Sequence, residues 1–126
     1  MKSPGHQKWP DHQVKESHVD GAAEVRIGPE VIADSRDVIR VEEDGSPPRL
    51  YFPRDAVAMQ KLEPSNTTTQ CPFKGTARYF TININGKKMK DAVWSYEDPF
   101  EEHQALKDRV AFYEEKFPEI RVQPHS

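Results

Sequence analysis

The stretch TTTQCPFKGTARYFTININGKKMKDAVWSY, residues 67–96, decides the fold of this chain. Asn85-Gly86 is the pair favoured in a two-residue type I′ turn, where both central residues need positive φ. It predicts a hairpin of residues 77–84 with 87–94. Ile84 then faces Lys87, and outward steps pair Ile82 with Met89, Phe80 with Asp91 and Arg78 with Val93. That face is an apolar stripe interrupted by Arg78 and Asp91, which become diagonal neighbours. The other face pairs Thr81 with Lys90, Tyr79 with Ala92 and Ala77 with Trp94, and it gathers Tyr79, Trp94 and Tyr96. Neither face reads as solvated. The sheet is expected to be covered on both sides, or covered on one and cupped around a ligand on the other.

At 126 residues the chain is long enough for one domain. Only 35% of its residues are hydrophobic and eleven are prolines, which favours short strands and loops over a helical bundle. A formal charge of −3 gives no electrostatic ground for nucleic-acid binding. The distribution is more informative. Residues 71–96 carry Lys74, Arg78, Lys87, Lys88 and Lys90 against Asp91 alone, whereas residues 97–126 hold four basic and eight acidic side chains. A basic hairpin suits an anionic small molecule, but lysines along a strand also serve to discourage edge-to-edge aggregation. One cysteine makes no internal disulfide, so nothing points to an oxidising compartment. No apolar run approaches the ~20 residues of a membrane span, and MKSPGHQKWPDH lacks the apolar segment of a signal peptide. A cytoplasmic protein without membrane association is expected.

Residues 1–22 are polar and without periodicity, and they read as an arm pinned by Trp9. The spacing of His6, His12 and His18 supplies no compact pair of metal ligands, and no bound zinc is expected. Residues 23–115 read as a single β domain. Gly28-Pro29 and the run Asp44-Gly45-Ser46-Pro47-Pro48 are turns between short β-rich segments. Pro53 opens a predicted short helix with an acid in its first turn, Val57 and Leu62 pointing inward. Residues 100–107 read as one or two helical turns, Val110–Tyr113 as a last core strand, and residues 116–126 as a charged tail in which Ile120 and Val122 can pair at an edge. The whole is a mainly β, small antiparallel domain with one or two short helices.

Taken together, YFPRDAVAMQKL, TTTQCPFKGTARYF, NGKKMKDAVWSYEDP and VAFY resemble the widespread family 427 of domains of unknown function, over about residues 23–115. The resemblance implies a small β domain of the tent-like type, with a topology similar to the Mss4-like group. That family also carries a nucleotidyltransferase-like label, yet the Gly-Ser and Asp-x-Asp signature of that chemistry, whose acids would hold Mg²⁺, is absent. Many Mss4-like proteins hold zinc on two Cys-x-x-Cys pairs, and a chain with one cysteine lacks that site.

Seven residues stand out as candidates for chemistry. Cys71 precedes Lys74, a cation able to lower a thiol pKa, but no histidine is near it in sequence to act as a base. Lys74-Gly75 can present an ammonium and a backbone amide to an anion. Arg54 opens the predicted helix, where free amides accompany its guanidinium, and the short 61–66 connection is expected to return it to the same end of the sheet. Arg78 and Asp91 read either as a structural ion pair or as the polar end of a pocket. Trp94 and Tyr96 supply an aromatic platform, and the predicted pairing sets Gly75 opposite Tyr96, so that Lys74 emerges beside it.

Three functions follow. The first is binding of an anionic or nucleotide-like small molecule by Arg54, Lys74, Trp94 and Tyr96, with Cys71 at the edge. The second is an enzyme using Cys71 or the Arg78/Asp91 pair. The third is an interaction module whose polar intrusions only fix strand register. No cofactor is expected in any of them.

Overall fold

The computed structural model describes residues 1–125. Its elements in chain order are helix α1 (Pro4–Lys8) and strands β1 (Val14–His18), β2 (Ala22–Ile27), β3 (Glu30–Ser35), β4 (Ile39–Glu43), β5 (Arg49–Tyr51), β6 (Leu62–Cys71), β7 (Gly75–Ile84), β8 (Lys87–Ser95), β9 (Val110–Phe112) and β10 (Ile120–His125). Short 3-10 turns lie at Arg54–Ala56, Met59–Lys61 and Glu101–Leu106. The fold is mainly β. Three small antiparallel sheets run in the orders β6-β7-β8-β9, β10-β2-β3 and β1-β4-β5. No helix among the described residues is long and apolar enough to cross a membrane.

The β7–β8 hairpin turns at Asn85-Gly86, with φ of 52° and 82° as a type I′ turn requires. Ile84 faces Lys87 and Ile82 faces Met89, as expected, but the ladder then shifts. Residues 90–92 stand where Thr81 alone should be matched, because Asp91 takes a left-handed φ of 55° and bulges the strand. Beyond the bulge Phe80 pairs with Val93, Tyr79 with Trp94 and Arg78 with Ser95. The expected pairs Phe80–Asp91, Arg78–Val93, Tyr79–Ala92 and Ala77–Trp94 are therefore replaced. Two extra residues keep the alternation in phase, so the expected faces survive although the neighbours change.

Both faces of the four-stranded sheet are covered. On one, Phe80, Ile82, Ile84, Met89 and Val93 pack with Val25 and Ile32 of the β2–β3 pair and with Phe52 and Phe112. On the other, Ala77, Tyr96 and Ala111 pack with Ile39, Val41 and Tyr51 of β4 and β5, and with Leu106, Tyr79 and Trp94. A bridge between Phe52 and Val110 ties the end of β5 to β9, which carries the chain from one sheet to the other.

Residues 1–22 are not a free arm. α1 and β1 occupy them, and β1 pairs with β4. Trp9 is 48% exposed and does not pin this segment. Ser3 Oγ and the Gly5 amide both donate to the Pro72 carbonyl, at 2.9 and 2.7 Å. A Cβ on Gly5 would lie 2.6 Å from that oxygen, so glycine is what permits the approach. The helix expected after Pro53 is likewise corrected. It is two 3-10 turns separated where Val57 bridges to Ala33, although Val57 and Leu62 are buried as predicted. The last strand, β10, pairs with β2 along its length.

Candidate functional site

The aromatic face of the central sheet is incompletely filled. Its side chains alternate along β7 and β8 with those of the aliphatic face, and large rings set at an angle leave gaps that methyl-bearing chains would close. A cavity of about 240 Å³ lies there, walled by Tyr79, Trp94 and Tyr96 on one side, by Val41, Arg49 and Tyr51 on the other, and by Lys74, Glu43 and Tyr113 at its rim. Trp94 meets Tyr113 edge-on, with ring centres 5.6 Å apart, and Tyr79 at 6.2 Å. Its Nε1 donates to Tyr51 Oη at 3.1 Å. The Arg49 guanidinium lies 4.9 Å from the Trp94 ring centre, held by two bonds to the Glu115 carboxylate and one to the Phe112 carbonyl.

Lys74 enters from the turn between β6 and β7. Gly75, with φ of 122°, makes that turn possible, since a side chain would be strained in that backbone conformation. The Lys74 ammonium donates to Glu43 Oε1 and lies 5.9 Å from the Tyr96 ring centre. The other Glu43 oxygen meets His12 Nε2 at 3.0 Å. Burial pushes the Glu43 carboxyl up, but the hydrogen bonds from Lys74 and His12 outweigh it and hold its pKa below the ordinary value. Burial drives the Tyr51 and Tyr96 hydroxyls far above the ordinary phenol range, Trp94 opposing it at Tyr51 and Tyr51 reinforcing it at Tyr96. Both tyrosines are therefore neutral O–H donors.

The structure brings together three of the seven candidates, Lys74, Trp94 and Tyr96. Cys71 is a free, half-buried thiol packed against the same cluster. The other three lie elsewhere. Arg54 donates to Ser95 Oγ at 2.7 Å, to Glu97 at 3.1 Å and to the Asp108 carbonyl at 3.1 Å, with its guanidinium near Phe80 on the aliphatic side. Arg78 is 64% exposed and pairs with Glu97, not with Asp91. Asp91 instead accepts from Thr67 Oγ1 at 2.6 Å. The bulge is what separates the expected Arg78/Asp91 pair.

Arg49, Glu43, Tyr51, Tyr113 and His12 belong to the site and were not anticipated. Strand alternation in Arg49-Leu50-Tyr51 carried a usable signal, because it sets Arg49 and Tyr51 on one side. Glu43 and His12 had none. A second polar group lies under the N-terminal segment: His6 Nε2 meets His103 Nε2 at 2.8 Å, and His103 Nδ1 meets Glu16 Oε2 at 2.6 Å. Facing nitrogens at that distance require one donor and one acceptor, so the two histidines cannot both be fully protonated in this arrangement. Among the described residues, no group of three His, Cys, Asp or Glu side chains could hold a metal ion.

Residues 15–123 match the family described as Domain of unknown function (DUF427). None of the curated proteins compared with the chain matches it.

Proposed function

We propose a ligand-binding role for this chain, which belongs to the DUF427 family: the cavity takes a small anionic or nucleotide-like molecule whose ring stacks among Trp94, Tyr96 and Tyr113. One observation carries this reading. Two donors in the cavity have hydrogen-bonding capacity to spare. Lys74 has three N–H bonds and donates one, to Glu43, while the Tyr96 hydroxyl makes no hydrogen bond among the described residues. Donors with unused capacity at a sheltered opening favour a ligand that supplies acceptors in place of water. The aromatic walls add a preference for a flat ring, and a volume of about 240 Å³ suits one ring system with a short acidic substituent. Arg49 takes the place foreseen for Arg54, although its fork is engaged by Glu115, so it supports Trp94 and adds positive potential without offering a free pair of donors.

The test is a thermal-shift and calorimetric screen of aromatic carboxylates and nucleoside monophosphates against the full chain. Tyr96→Phe and Trp94→Leu are each expected to weaken a hit by roughly ten-fold, the scale of a hydrogen bond to a charged group or of a stacked ring. A screen without any hit, or hits unmoved by both substitutions, defeats the proposal.

A further inference from the structure

We infer that His12 sets the charge at the mouth of this cavity through Glu43, so that anion binding at Lys74 tightens as His12 gains a proton. The inference rests on the ligand reading above and adds its regulation.

Glu43 is shared. One oxygen takes the Lys74 ammonium and the other takes His12 Nε2, and the three side chains are only 8%, 18% and 25% exposed for Lys74, Glu43 and His12. With a neutral imidazole, His12, Glu43 and Lys74 sum to zero charge. With a protonated imidazole they sum to +1, beside a cavity that still offers two donors. An imidazole is the side chain whose ordinary charge change falls between pH 5 and 8.

His12 is also held where its charge counts. Its ring stacks on Phe73, with centres 4.2 Å apart and planes 16° from parallel. Its amide donates to the Trp9 carbonyl, and the next residue is clamped twice, Gln13 N to Asp44 Oδ2 at 2.8 Å and Asp44 N to Gln13 O at 3.1 Å. Protonation therefore adds charge without loosening the contact to Glu43, since the charged ring remains a donor to a carboxylate. The charged groups around it are Glu43 from β4, Lys74 from the β6–β7 turn on the other Glu43 oxygen, and Lys8 and Asp11, which line one groove with it. The titratable His6 of α1 meets the same Phe73 ring at 5.0 Å and is bonded to His103. Phe73 contributes no charge. Of these, only Glu43 contacts the imidazole as an ion-pair partner. One added unit charge about 8 Å from a bound anion, across a partly solvated path, is worth roughly five-fold in affinity.

The test uses indole-3-carboxylate, which stays ionised across the range, titrated calorimetrically into the full chain at pH 5.5 and 8.5. Wild type is expected to bind roughly five-fold more tightly at pH 5.5. His12→Gln, which keeps a donor to Glu43 but cannot titrate, should bind with the weaker affinity at both values. His12→Lys, with a permanent charge, should bind with the tighter affinity at both. Binding that keeps the wild-type pH ratio in both variants overturns the role of His12 and leaves the ligand reading standing. A probe that binds wild type at neither pH, where the wider screen gives no hit, sinks both.

Discussion

The two faces of the central sheet bury their side chains in different ways, the larger core lying on the β2–β3 side. On the β2–β3 side, Ile82, Met89, Val93 and Phe52 are sealed hydrocarbon, each at most 2% exposed. On the β4–β5 side the large residues are Tyr51, Tyr79, Trp94 and Tyr96, each with one polar atom. Burying such an atom is costly unless it is paired. The Trp94 N–H is satisfied by the Tyr51 oxygen, and Tyr79 Oη meets Thr69 Oγ1 at 3.1 Å. Tyr96 and Lys74 keep spare donors. The aliphatic face is built to hold the sheet together; the aromatic face trades packing for unused hydrogen-bonding capacity beside an opening.

Mutation can break or sharpen that contrast. The largest effect is expected at Phe52→Ala, about 4 kcal/mol of lost stability for a ring fully buried among Phe112 and Val110. Urea unfolding measures it. A loss below about 1 kcal/mol would mean that the aliphatic face is not the stability core. Next comes Lys74→Met, about 3 kcal/mol, because it leaves the Glu43 carboxylate in a largely buried site with His12 in place of the ammonium as its partner. Its diagnostic is the double variant Lys74→Met, Glu43→Met, which should be more stable than Lys74→Met alone. If the double variant is the weaker of the two, the Lys74–Glu43 pair is not what the single substitution breaks. The smallest effect is expected at Arg54→Ala, about 1–2 kcal/mol, since its ion-pair partner Glu97 is partly solvated and only the buried Ser95 hydroxyl is left short of a bond. It should leave the affinity of any cavity ligand unchanged, and a large loss of binding there would return Arg54 to the site.

Much of the architecture was legible because the signals are local. Asn85-Gly86 gives the turn, alternation gives the two faces, and the bulge at Asp91 leaves those faces intact because it adds an even number of residues. The bulge itself was not legible, since aspartate tolerates a left-handed φ without demanding it. Arg54 and Arg49 could not be ranked either. Their roles depend on Glu97, Asp108, Phe112 and Glu115, all more than forty residues away in sequence, and no local pattern encodes such partners. The same holds for His12 and Glu43, which meet only because β1 pairs with β4.

The docking of residues 3–6 on Pro72 and His103 has a consequence for the order of assembly. Its hydrogen bonds close loops of 69 and 97 residues, against the tight turn that zips β7 to β8. Long closures cost more chain entropy than short ones and form late. On a ribosome the Pro72 acceptor emerges after most of the early strands, and the His103 ring later still. A segment synthesised before its acceptors is therefore among the last to settle, and until it does the Glu43 carboxylate waits without His12.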